Sequence, residues 1–82
     1  MPERVLIVDD DADTRSSLAA IARREGWDVE EAGRAEDALP RLERPGIDLV
    51  LCDLVMPGID GIELLRRLRA SGRQVPFVMV TG

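Results

Sequence analysis

The 82 residues carry 45% hydrophobic and 33% charged side chains, the balance of one small globular domain with a modest core and no sign of disorder. Sixteen acids against eleven bases give a net charge of -5, with the bases spread along the chain rather than gathered in a stripe, so neither direct nucleic-acid contact nor an anionic membrane is expected. A single cysteine cannot close an internal disulfide, no leader precedes the first apolar run, and no stretch approaches the roughly 18 apolar residues of a membrane helix; the expected location is the cytoplasm.

The first apolar run, Val5-Leu6-Ile7-Val8, predicts a buried parallel strand over Arg4 to Asp9. It leads straight into three carboxylates, Asp9, Asp10 and Asp11. Asp11 or a neighbour is expected to cap a helix with Leu18, Ile21 and Ala22 on one face and Arg15, Arg23 and Arg24 largely on the other, stopped by Gly26 in a left-handed conformation. Trp27 to Ala32 alternates weakly and reads as an edge strand, because Asp28, Glu30 and Glu31 could not lie between two helix layers. Ala35, Ala38, Leu39 and Leu42 give a second helical stripe, within which Pro40 is expected to cost a hydrogen bond and to kink the helix.

Pro45-Gly46 marks a turn, and Asp48 to Cys52 reads as a central strand ending at a lone Asp53. The loop Leu54 to Ile59 contains Pro57 and Gly58, which stop the strand. Asp60 with Glu63 resembles a capping box, followed by a third helix whose buried face is expected to be Ile62, Leu65 and Leu68 and which closes at Ser71-Gly72. Pro76 to Val80 is the last apolar strand, before Thr81 and Gly82. Strands alternating with helices in this way predict right-handed βαβ units and a parallel sheet, in one domain over residues 1–82.

In such a sheet two strands would deliver Asp9, Asp10 and Asp53 to the same edge, outside the carboxyl ends of the strands, where ligands bind. Like charges there repel by roughly 4 kcal/mol per pair at about 4 Å and an effective dielectric of about 20. A divalent cation is the usual compensation, and Asp53 is then the natural carboxylate nucleophile. Helix capping accounts for one or two of the acids after the first strand but hardly for three. An EF-hand starting at Asp9 fails, since Thr14 stands where glycine is required and Ala20 where the bidentate glutamate belongs. Cys52 reads as a small buried hydrophobe with a raised pKa, Trp27 and Phe77 as core, and the arginines as solvated faces.

The order of Val5-Leu6-Ile7-Val8-Asp9-Asp10 with Arg15 and Leu18, then Asp48-Leu49-Val50-Leu51-Cys52-Asp53, then Met56-Pro57-Gly58-Ile59-Asp60-Gly61 resembles the receiver domain of two-component response regulators. The resemblance covers the whole chain. It implies a flavodoxin-like, doubly wound α/β sheet of order 2-1-3-4-5, Mg²⁺ or Mn²⁺ in the acid pocket, and phosphoryl transfer from a histidine kinase to Asp53. Carried over by position, Asp10, Asp53 and the Val55 backbone carbonyl are metal ligands, Asp9 reaches the metal through water, and Thr81 matches the switch hydroxyl. The family's fifth strand and its lysine have no counterpart, and all eleven bases are arginine. The chain therefore reads as a receiver truncated before the fifth strand, with four of five strands and three helices, a phosphoacceptor rather than an enzyme and impaired in its phosphorylation.

Two rivals stand beside it. A haloacid-dehalogenase-type aspartyl phosphatase fits Asp9-x-Asp11, but Asp13 replaces its threonine and its later lysine and acids are missing. A non-signalling folding or assembly fragment is the other. An apolar fourth strand left at the sheet edge, and a sheet face left bare, predict a homodimer.

Overall fold

Unbroken runs of Val, Leu and Ile bury on both faces of a sheet, and β1 (Arg4–Val8) does so, with Val5 to Val8 at most 1% exposed. The computed structural model describes residues 3–80. After β1 come α1 (Ala12–Arg24), β2 (Asp28–Ala32), α2 (Ala35–Leu42), β3 (Leu49–Asp53), α3 (Gly61–Ala70) and β4 (Phe77–Val80). All strand pairs are parallel, in the order β2-β1-β3-β4.

The period of two along β1 divides the core. Leu6 and Val8 face a layer containing Ala35, Ala38 and Leu42 of α2 and Leu64 and Leu68 of α3. Val5 and Ile7 face Ala19 of α1, with Leu18, Ala22 and Trp27 packed around them. Helices α2 and α3 thus cover one sheet face, whereas on the other α1 lies over β1 and β2 and leaves Leu49 and Leu51 of β3 half-buried and Val78 of β4 47% exposed, in line with the bared face that the sequence implies; β2 is an edge strand.

Local chemistry sets the ends. Asp11 caps α1 by accepting the Asp13 and Thr14 N–H groups, and α1 closes in a Schellman turn. There the Trp27 N–H reaches the Ala22 carbonyl, the Gly26 N–H reaches that of Arg23, and Gly26 has φ +92°. Trp27 is therefore part of the helix stop rather than the first residue of β2. Asp60 caps α3 through the Glu63 N–H at 2.9 Å, but the Glu63 carboxylate turns to Arg66 and Arg67 instead of back to the cap, so only half of the expected box forms. Helix α2 runs two residues beyond Pro40, which lies at an exposed position.

Several expected burial positions move. In α3 the fully buried leucines are Leu64 and Leu68, Leu65 is half-buried, and Ile62 is 61% exposed. In α1 the small Ala19 meets the sheet while Ile21 is exposed. Phe77 and Trp27 are half-buried against the two core layers. The arginines are not all solvated faces either. Arg41 of α2 donates from Nε and Nη2 to Glu30 of β2, and Arg4 holds Asp28 on the same edge. No described helix is long and apolar enough to cross a membrane.

Candidate functional site

β1 and β3 are neighbours with Val8 opposite Cys52, so the next residue of each chain, Asp9 and Asp53, arrives at the same end of the sheet. Asp10 follows. One carboxylate oxygen from each of Asp9, Asp10 and Asp53 lies within 4.8 Å of the others. Asp9 is 4% exposed, Asp53 half-buried and Asp10 exposed. A cleft of about 250 Å³ opens beside them, lined by Asp9, Asp11, Thr14, Asp53 and Val80.

The acids differ in what holds them. Asp11 belongs to the helix: the Asp13 and Thr14 N–H groups and the Thr14 hydroxyl at 3.2 Å keep its carboxyl below the usual carboxylate range. Asp9 accepts the Asp11 N–H at 2.9 Å, yet its carboxyl is pushed up. Burial is the largest cause, and the negative charges of Asp53, Asp10 and Asp11 add to it. Asp53 Oδ1 accepts the Val55 N–H at 3.3 Å, which ties the start of the following loop to the acid; the Val55 side chain is 75% exposed. Thr81 lies outside the described residues.

That loop is built on two glycines. Gly61 opens α3 so close to β3 that an added Cβ would stand 2.6 Å from the Asp53 carbonyl oxygen, 3.0 Å from Met79 Sδ and 3.3 Å from Cys52 Sγ. Its N–H donates to the Leu54 carbonyl, and the Leu54 N–H donates to that of Val80, so the loop is closed onto β4. Gly58 has φ +75° and leaves room for Glu36 of α2, whose Oε2 would be 2.9 Å from a Cβ there. The Cys52 thiol beneath is pushed up to about 12 by burial and the charges of Asp53, Asp9 and Asp60, so it stays a protonated, inert core group.

The fold brings Asp9, Asp10 and Asp53 together as the strand order implies, and beside them lies a residue that the sequence did not single out for this place. Arg15, read as part of a solvated face, donates Nη1 to the Asp9 carbonyl at 2.6 Å and directs Nε toward Glu31 at 3.4 Å. Its reach back across the turn depends on side-chain conformation, which helical periodicity does not encode.

A helix-covered parallel sheet with an acid cluster at the carboxyl ends of β1 and β3 is a receiver architecture, and the comparisons agree. The chain belongs to the response regulator receiver domain family, whose model matches residues 5–82. It is 43% identical over 82 residues to the DNA-binding response regulator MtrA of Mycobacterium tuberculosis, covering 100% of this chain and 36% of that protein. It is 36% identical over 81 residues to the transcriptional regulatory protein TrcR of the same species, covering 99% of this chain and 32% of that protein. The chain thus spans about a third of the length of these relatives. Among solved structures, a CheY-like receiver domain protein of Methanospirillum hungatei superposes with a TM-score of 0.92 at 35% identity, covering 100% of this chain and 66% of that one. A receiver protein of Pseudomonas putida gives 0.93 at 34% identity, covering 100% of this chain and 69% of that one. The aspartyl-phosphatase and assembly-fragment readings are not favoured by this set.

Proposed function

We propose that this receiver domain accepts a phosphoryl group on Asp53 from a histidine kinase, with Mg²⁺ or Mn²⁺ bound by the neighbouring acids. The observation that carries the reading is the meeting of Asp9, Asp10 and Asp53 within 4.8 Å at the ligand-binding end of the sheet. Three carboxylates with one of them buried form a hard oxygen donor set that a divalent cation suits; Asp9 is pushed up first by burial and then by the neighbouring negative charges, and a cation would offset both. Asp10, Asp53 and the Val55 carbonyl would hold it directly and Asp9 through water. When bound, it would neutralise the oxygens of the incoming phosphoryl group.

The chain's own residues have distinct tasks. The Val55 N–H engages Asp53 Oδ1, which leaves Oδ2 to attack phosphorus. As the new O–P bond forms, the N–P bond of the phosphohistidine breaks and the imidazole leaves with the electron pair. The cleft beside Asp9, Asp53 and Val80 is the space for the transferred group. Thr81, just past β4, is proposed as the switch hydroxyl. None of the 82 residues is a lysine, so within them the cation would be the main balance for the phosphoryl charge. Beyond accepting a phosphoryl group the domain needs no enzymatic activity. A cytoplasmic location, no direct contact with nucleic acid or membrane, and homodimerisation complete the reading.

Treatment with a small-molecule phosphodonor and Mg²⁺, followed by peptide mass mapping, tests it. One phosphoryl group on Asp53, absent from Asp53→Asn, is the expected result. A phosphoryl group on Asp9 would instead favour a dehalogenase-like nucleophile.

A further inference from the structure

Nearly every polar group of Asp9 is already committed. Its N–H donates to the Ala32 carbonyl at 3.1 Å, its carbonyl accepts Arg15 Nη1 at 2.6 Å, and its Oδ1 accepts the Asp11 N–H at 2.9 Å. Only Oδ2 takes no hydrogen bond among the described residues. The turn between β1 and α1 is therefore held at three points, and at two of them the partner is a backbone group, of Ala32 and of Asp11. Arg15 is the third.

Its side chain is well placed for holding rather than for solvent. It is 22% exposed, crosses above Gly33 with Nη1 3.4 Å from where a Cβ would lie, and pairs through Nε with Glu31 near the end of β2. A charge-assisted bond to a carbonyl is stronger than a neutral one, and removing its donor leaves that carbonyl short of a partner. We infer that Arg15 is a positioning residue of the acid cluster: by holding the Asp9 carbonyl it fixes the turn that aims Asp9 and Asp10 at Asp53. This rests on reading the cluster as a divalent-cation site.

Two effects of Arg15 on a cation have opposite signs, which makes the inference decidable. A positive charge near the site repels a cation, so if Arg15 acted only as a charge its removal would tighten binding. If it acts by holding the turn, removal loosens binding. Glu31 at 3.4 Å offsets part of the guanidinium charge, although Arg15 shares that carboxylate with Arg23 at 3.5 Å, and this favours the second effect.

The test is a Mn²⁺ titration followed by the electron paramagnetic resonance of the free ion, on the native chain, Arg15→Met, Arg15→Lys and the double variant Asp10→Asn, Asp53→Asn. Methionine keeps an apolar stem and lysine keeps a donor. Expected is a loss of about tenfold in affinity for Arg15→Met, the low end for residues that orient metal ligands, with most of it regained in Arg15→Lys. Affinity equal to or above the native value in Arg15→Met would overturn the inference. Unaltered binding in the double variant would overturn the cation site itself, a separate failure. Metal-free hydrogen exchange then decides independently: the Asp11 amide should exchange faster in Arg15→Met than in the native chain while the melting temperature is little changed, and unchanged exchange there counts against Arg15. Should Arg15→Met fail to fold, Arg15→Lys carries the same readouts, and slower-than-native exchange or tighter Mn²⁺ binding in it contradicts the proposal.

Discussion

At the scale of single residues, the site depends on an atom that is missing. Gly61 has no Cβ, and one placed there would sit 2.6 Å from the Asp53 carbonyl, a backbone group that cannot swing aside. Gly61→Ala should therefore lower stability by about 1 to 3 kcal/mol, the usual cost of forcing atoms into a packed site, and should weaken Mg²⁺ binding at the same time. Urea denaturation and calorimetry on one preparation would check both, and native values for both would contradict the close approach. Asp9 makes the complementary case. Its folded-state carboxyl titrates above the ordinary 3.8, so between that value and its raised one the folded state keeps a proton that the unfolded chain gives up. Stability of the metal-free protein must then fall as pH rises through that window and stay lower above it. Asp9→Asn keeps an oxygen for the Asp11 N–H but has no charge to bury, so with chelator present it should be the more stable protein at pH 7 and lose that advantage in acid. Parallel denaturation profiles from pH 3 to 7 would rule this out.

At the scale of elements, what could be read in the sequence follows the physics of each. β1 and β3 were legible because continuous apolar runs ending in acid have few other uses, and their adjacency then placed Asp9, Asp10 and Asp53 together. α3 was legible as a helix but not in its facing: Ile62, Leu64, Leu65 and Leu68 all fit an apolar stripe, and only packing against the sheet selects Leu64 over Ile62. Arg15 and Arg41 were missed because long side chains choose partners in three dimensions. α2 shows local preference overridden by packing. It buries Ala35, Ala38 and Leu42 and continues past Pro40 despite the missing N–H. Because Pro40 is exposed, Pro40→Ala removes no core contact. It should stabilise the domain by about 2 kcal/mol, the helix-interior penalty of about 3 less the roughly 1 that proline contributes by restricting the unfolded chain. A lowered thermal midpoint would mean that the ring makes contacts of its own.

At the scale of the whole molecule, the two sheet edges are unlike. β2 carries Asp28, Glu30 and Glu31, each engaged by an arginine, and charge of this kind discourages strand pairing. β4 is Phe77-Val78-Met79-Val80, with no charge and with Val78 47% exposed. Two-fold self-association, through the β4 edge, the partly bared face on which Val78 lies, or exchange of elements between chains, is the expected outcome for these 82 residues at micromolar concentration. Light scattering should report a dimer that Val78→Lys dissociates, and a folded monomer for the native chain would contradict it.

One acid cluster would serve both as cation site and as phosphoacceptor, and native mass spectrometry reads the two properties together. The native chain and Asp53→Asn should each be incubated with a small-molecule phosphodonor, with and without Mg²⁺. Expected is a gain of one phosphoryl group by the native chain that requires Mg²⁺, and none by Asp53→Asn. Equal incorporation without the metal, or incorporation that survives Asp53→Asn, would contradict the assignment of the site.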